Sequence, residues 1–154
     1  MLGEESVAME IERSAMRFLA RREYSRQELV RKLLARSYSH DQVYAVLDSL
    51  QHRGFLSDTR FADLLVRSRI GGGYGPFKIK FELREKGVAE TIIETTLSAF
   101  SVDWVALAKK AKEKRFGSQI PTDLNELSRQ IRYLRNRGFY QEHLDLALPS
   151  VSFA

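Results

Sequence analysis

Three histidines, one glycine-rich stretch and a run of lysines and arginines are the parts of this 154-residue chain that could do chemistry. His40, His52 and His143 stand far apart, each near a predicted helix end. None lies in a His-Glu-x-x-His or His-x-Glu context, so neither a metal site nor a cofactor is expected. The chain has no cysteine, which excludes disulfides and thiolate metal sites. Gly71-Gly72-Gly73-Tyr74-Gly75 has the composition of a phosphate cradle. It lacks the Gly-Lys-Ser/Thr ending of a P-loop, and helical patterns flank it on both sides where a P-loop needs a strand first. It reads instead as a mobile turn that lets the following helix dock. No nucleophile motif occurs, and acids mostly have bases nearby on predicted helix faces, as Glu28 has Lys32. An enzyme is not expected.

The basic run carries more. Residues 109–137 hold nine basic side chains (Lys109, Lys110, Lys112, Lys114, Arg115, Arg129, Arg132, Arg135, Arg137) against three acids, a net +6. The whole chain carries only +5, with a pI near 9.6. Basic groups on two successive predicted helices favour an anion-facing surface over a merely solvated one. Tyr133 or Phe139 could stack on a base there, but both fit a core as well, and Trp104 is read as core. No apolar run reaches membrane-spanning length, and Met1 to Ala20 lacks the apolar centre of a signal peptide. The absence of cysteine suits a reducing compartment, so a cytoplasmic protein without membrane contact is expected.

The elements that must position these groups read as nine helices. Glu4 to Arg22 places Ala8, Ile11, Ala15, Phe18 and Leu19 on one stripe. Ser25 and Glu28 form a capping box for a helix from Arg26 to about Ser37, and Ser39 and Gln42 form another for a helix reaching about Arg53. Ser57-Asp58 is an N-cap pair before a helix with Phe61, Leu64 and Leu65 that reaches about Ile70. A helix follows from Pro76 to Lys86, with proline in the first turn and Gly87 as the stop. The next segment, through Thr91, Ile93, Leu97 and Phe100, would also suit a strand on propensity. Ser101-Val102-Asp103 opens a helix ending at Phe116-Gly117. Thr122-Asp123 caps one with Leu124, Leu127, Ile131 and Leu134 inward, and the last starts near Gln141 and stops at Pro149. Ser150 to Ala154 reads as a frayed tail. Phe61, Leu83, Leu97, Trp104, Leu134 and Leu148 are expected to be buried.

A short helix-ending tag recurs through this series: Leu33-Leu34-Ala35-Arg36-Ser37-Tyr38, Leu83-Arg84-Glu85-Lys86-Gly87-Val88 and Leu134-Arg135-Asn136-Arg137-Gly138-Phe139, spaced by 50 and 51 residues. The helix after each tag keeps the offset too, in Val43, Ile93 and Leu144 and in Leu47, Leu97 and Leu148. A period of that size marks a repeated supersecondary unit, and it decides the ambiguous 91–100 segment as helix. The expected organisation is three three-helix units, at residues 1–56, 57–101 and 102–154. Ser37 stands where the other tags have glycine, so the first helix end is expected to be less sharply defined.

The tag, with Arg53-Gly54-Phe55-Leu56-Ser57-Asp58, then Phe61-Ala62, Arg67, Gly75, Leu83 and Lys86-Gly87-Val88, resembles RecX, the bacterial regulatory family that modulates the RecA recombinase. The likeness runs from about residue 12 to 148 and is strongest over 53–88. It implies an all-α fold of three tandem three-helix repeats in an elongated, curved array. It also implies a monomer that binds the RecA filament on DNA and restrains its ATPase, strand-exchange and co-protease activities in recombination, repair and the SOS response. Such a body could block motions within the filament or cap a growing end. Weak, salt-dependent binding to single- and double-stranded DNA is expected beside it. The candidate RecA/DNA-binding residues are the cations placed off the apolar stripes: Lys78, Lys80 and Arg84, then Lys109, Lys110, Lys112, Arg129, Arg132 and Arg135. The alternative is a stand-alone helical DNA-binding module, with Ser25 to Phe55 as a helix-turn-helix; few basic or amide groups face out of its second helix.

Overall fold

The computed structural model describes residues 3–148 and contains nine helices and no strand among them. They are α1 (Glu4–Leu19), α2 (Arg26–Leu34), α3 (His40–His52), α4 (Asp58–Gly71), α5 (Pro76–Glu85), α6 (Glu90–Phe100), α7 (Trp104–Phe116), α8 (Leu124–Asn136) and α9 (Gln141–Ala147). The segment 91–100 is helical, as the repeat requires. α1 stops three residues before Arg22. The expected stop at Pro149 and the tail from Ser150 to Ala154 lie outside the described residues.

Contacts gather the chain into two compact units. One comprises residues 1–64 and 83–96, the other 65–82 and 97–154, with the divisions inside α4, α5 and α6. In the first unit α1, α2 and α3 pack around Ile11, Leu29, Leu33, Val43, Leu47 and Leu50. In the second α7, α8 and α9 pack around Ala108, Ala111, Leu134, Phe139 and Leu144. The repeated positions carry the cores. Leu33, Leu83 and Leu134 of the tags are fully buried, as are Val43 and Ile93, and Leu144 nearly so. Of the other expected core residues, Phe61 and Leu148 are buried, whereas Leu97 and Trp104 are half-buried. Leu64 and Leu124 face solvent: on α4 it is Ala62 and Val66 that turn inward with Phe61, and Leu124 is the first residue of α8, before its stripe closes on the core.

The second and third tags end their helices in the same way. Gly87 takes φ 77° and Gly138 φ 100°, and the N–H groups of Val88 and Phe139 reach back to the carbonyls of Leu83 and Leu134 at 3.0 and 3.2 Å. That is the glycine-terminated helix stop, with the following apolar residue folded onto the last turn. The first tag stops without glycine. Ser37 adopts φ 69° and donates its N–H to the carbonyl of Leu34 at 2.9 Å. α2 ends at Leu34, one tag position earlier than α5 at Glu85 and α8 at Asn136. This end is therefore the less sharply defined one, as its serine leads one to expect, and it carries the steric cost of a Cβ in the left-handed region.

The two glycine stops each dock on the start of another tag helix. In the first unit the Ser25 hydroxyl donates to the carbonyl of Lys86 at 2.7 Å while accepting from the N–H of Glu28 at 3.1 Å. A Cβ on Gly87 would lie 2.6 Å from Cβ of Gln27. In the second unit, at positions 50 or 51 residues on, the N–H of Gly75 donates to the carbonyl of Arg137 at 2.7 Å and that of Phe77 to the carbonyl of Gly138 at 3.0 Å. A Cβ on Gly75 would lie 2.5 Å from the Phe139 nitrogen, and one on Gly138 2.6 Å from Cβ of Lys78. The glycine-rich stretch is thus a fastened joint rather than a loose turn. The Arg137 guanidinium sits 3.9 Å from the centre of the Tyr74 ring and donates to the carbonyls of Gly72 and Gly73.

The capping boxes differ in one detail. Ser25 and Glu28 reciprocate fully, whereas the Gln42 side chain accepts from the Ser39 hydroxyl rather than from the Ser39 N–H. Ser57 caps α4 through the Arg60 N–H at 3.1 Å; Asp58 instead accepts from the N–H of Arg26 at the start of α2 at 2.8 Å. Glu28 is nearly buried and pairs with Arg22 at 2.9 Å and Lys86 at 3.5 Å rather than with Lys32. Burial pushes its carboxyl up, but the hydrogen bonds from Arg22 and the Ser25 N–H, with the charges of Arg22 and Lys86, prevail and hold it below its ordinary value of 4.5.

Leu83→Ala should cost about 2–5 kcal/mol in urea melts, because the site is fully buried. Gly87→Val should also destabilise, through both its positive φ and the approach of Gln27. A depressed carboxyl contributes stability that is present above the unfolded-state value and lost as pH falls through the folded one. Melts of wild type and Glu28→Gln should therefore differ most near neutral pH and converge as pH drops below 4.5.

Candidate nucleic-acid interface

The second compact unit holds 13 basic and 7 acidic side chains, a net +6, and the first holds 12 and 13, a net −1. The charge of the chain is therefore concentrated on one body, and α5, α7 and α8 carry most of the candidate cations there.

α8 is the best-defined platform. Asp123 caps it by accepting from the N–H of Glu126 at 2.8 Å, and Gln130 and Leu134 turn inward. Arg129, Arg132 and Arg135, three residues apart, remain exposed on the other side. Arg129 lies 5.1 Å from the centre of the Phe116 ring with a 3.6 Å contact to Glu126, and Arg135 donates to Gln141. On α7, Lys109 and Lys110 are exposed. On α5, Lys78 is exposed beside Gly138, with its ammonium 4.9 Å from the centre of the Tyr74 ring, and Lys80 is half-buried. Arg84 belongs to the other unit and pairs with Glu90.

Lys112 departs from the expected placement. It is 6% exposed, and its ammonium donates to the carbonyls of Gly117 at 2.9 Å and Gln119 at 2.8 Å. The cation thus closes the C-terminal end of α7 onto the following turn, where carbonyls lack helical partners. Its position was a signal in itself: Lys112 follows Ala108 by four residues and so lies on the buried stripe. Arg137 is likewise engaged with Tyr74 and the glycine turn.

Of the two aromatics that could stack on a base, Phe139 is buried, and Tyr133 is half-buried with its ring edge-on to Phe116 at 5.3 Å and Arg115 and Arg137 each 5.7 Å away. Phe139 is therefore part of the core. His143 has a role that spacing did not reveal: its Nδ1 accepts the N–H of Tyr140 at 3.2 Å at the start of α9. Among the described residues no group of three or more His, Asp or Glu gathers as metal ligands, and no single helix is long and apolar enough to cross a membrane.

Lys112→Ala should lower stability by about 1–3 kcal/mol, since two carbonyls lose a charged donor. The double exchange of Lys109 and Lys110 to Glu should change it by no more than about 0.5 kcal/mol per site in the same melts.

Comparison with known proteins bears on the whole fold. The model of the first three-helix domain of RecX matches residues 13–50, and that of the second matches residues 57–97. A regulatory protein RecX of Halorhodospira halophila is 42% identical over 134 residues, covering 87% of this chain and 83% of that one. One from Xanthomonas axonopodis pv. citri is 45% identical over 125 residues, covering 81% and 77%. A crystal structure of a regulatory protein RecX superimposes with a TM-score of 0.80 at 22% identity over 96% of this chain and 79% of the other. That of RecX from Lactobacillus salivarius gives 0.78 at 22% identity over 91% and 93%. These last two establish the fold, and the sequence matches establish the kinship: the chain belongs to the RecX family of regulatory proteins.

Proposed function

We propose that the chain binds the RecA filament on DNA and restrains its ATPase, strand-exchange and co-protease activities, and that the basic surface of the second compact unit is what meets the filament. The observation that carries this reading is the separation of charge. One unit has a net +6 and the other −1, and Lys78, Lys109, Lys110, Arg129, Arg132 and Arg135 of the basic unit are exposed. A filament on DNA is polyanionic, and cations on several helices can neutralise several phosphates at once, so modest single contacts add up.

The contact residues proposed are Lys78, Lys80, Lys109, Lys110, Arg129, Arg132 and Arg135, with Arg84 on the other unit. Lys112 is set aside because its ammonium is occupied by carbonyls. The chain is proposed to act as a monomer in the cytoplasm, in recombination, repair and the SOS response, and to hold bare DNA weakly. A stand-alone DNA-binding module built on α2 and α3 gains little support, since α3 has no lysine or arginine within it and exposes Asp41 and Asp48.

The test is charge reversal. Changing Lys109, Lys110 and Arg132 to Glu should leave the melting curve in place. It should flatten the salt dependence of bare-DNA binding by about one unit for each phosphate that is no longer neutralised. Inhibition of RecA ATP hydrolysis should fall by more than bare-DNA affinity does. Equal losses would mean that DNA alone is touched. Unchanged inhibition in the folded variant would move the interface off these cations.

A further inference from the structure

α5 carries two phenylalanines where the core does not call for them. Phe77 is 55% and Phe81 52% exposed, while Ile79 between them is fully buried. At about 100° per residue the two rings fall on one face, roughly opposite Ile79, so they point as far from the core as the helix allows. Large aromatics displayed together this way usually serve a contact. The flanks are cationic: Lys78 lies to one side of the pair and Lys80 to the other. The acids on α5 itself are Glu82, whose carboxylate is held by Arg69 at 2.7 and 2.8 Å, and Glu85 at the end of the helix. Tyr140 presents a ring to Phe77 at 6.2 Å and 82°, which steadies it from one side.

We propose that Phe77 and Phe81 form a stacking platform for the bases of single-stranded nucleic acid, with Lys78 and Lys80 placed to take the phosphates on either side. Four residues of helix rise about 6 Å. That rise is on the scale of the spacing of about 3.4 Å per nucleotide along a strand, so both rings lie within reach of neighbouring bases. Stacking accepts any base because every base has a π-face, which suits a protein that must act wherever a strand is exposed. An acidic or apolar protein partner is the competing occupant. The two lysines favour a polyanion, because each ring has a cation beside it. The proposal deepens the nucleic-acid half of the function given above. Its test reads binding to DNA without RecA, so its failure can be told from a failure to inhibit RecA.

The measurement is fluorescence anisotropy of the full chain on an oligothymidylate of about 15 nucleotides and on a duplex of the same length. For the double variant F77A/F81A, single-strand affinity should fall about tenfold or more, with duplex affinity and the salt slope unchanged, since no phosphate contact is removed. In F77W/F81W, affinity should be retained and the new tryptophans quenched by the oligothymidylate beyond the signal of Trp104, the one native tryptophan. If the alanine variant melts early, the quenching decides alone. Unchanged single-strand affinity in a folded alanine variant would overturn the proposal, as would an equal loss on duplex with a flattened salt slope. Intact single-strand binding with lost inhibition of RecA would assign the rings to a protein and overturn it as well.

Discussion

The end of one tag helix meeting the start of another is the contact on which the rest of this molecule depends. A helix leaves four N–H groups unpaired at its start and four carbonyls at its end. Here the two deficits are set against each other. The carbonyl of Lys86 takes the Ser25 hydroxyl, and the carbonyls of Arg137 and Gly138 take the N–H groups of Gly75 and Phe77. The negative end of one helix dipole also faces the positive end of the next. Such a joint demands close backbone approach, which explains why glycine stands at 75, 87 and 138 and why the space beside each has no room for a Cβ. Each compact unit contains one joint, so the 50-residue repeat is a repeat of this contact as much as of helices.

Fixing the helix ends also sorts the side chains. With Leu33, Leu83 and Leu134 locked inward, the polar residues of each tag must face out, and on α8 that leaves Arg129, Arg132 and Arg135 along one exposed side. The same logic on α5 turns Ile79 and Leu83 in and Phe77 and Phe81 out. Charge and aromatic display are thus consequences of where the helices stop.

Much of this was legible in the sequence because helix stops and buried stripes are local. The tags, the Ser25 capping box and the helical nature of 90–100 followed from spacing. The features that spacing missed depend on partners distant in sequence or on backbone geometry. Ser37 is held at positive φ, which its type alone argues against. The glycine stretch is fastened by Arg137, more than 60 residues away. Glu28 chose Arg22 and Lys86 over the neighbour one turn along its helix. Lys112 looked like one more surface cation in a basic run, although its i+4 relation to Ala108 put it inward. Phe77 and Phe81 drew no notice because apolar residues on a helix are read as core by default.

The measurement that tests the central claim most directly is the affinity of the unmodified chain for bare single-stranded DNA and for the same DNA coated with RecA, each over a range of salt, with RecA ATP hydrolysis followed in parallel. If the chain is a filament regulator whose basic unit contacts both components, coated DNA binds it more tightly at every salt concentration, and hydrolysis falls as the coated strand saturates. Equal affinity and equal salt slopes on the two substrates, with hydrolysis reduced only when bare DNA is covered, would make it a DNA-binding protein that competes for the strand and would contradict that claim.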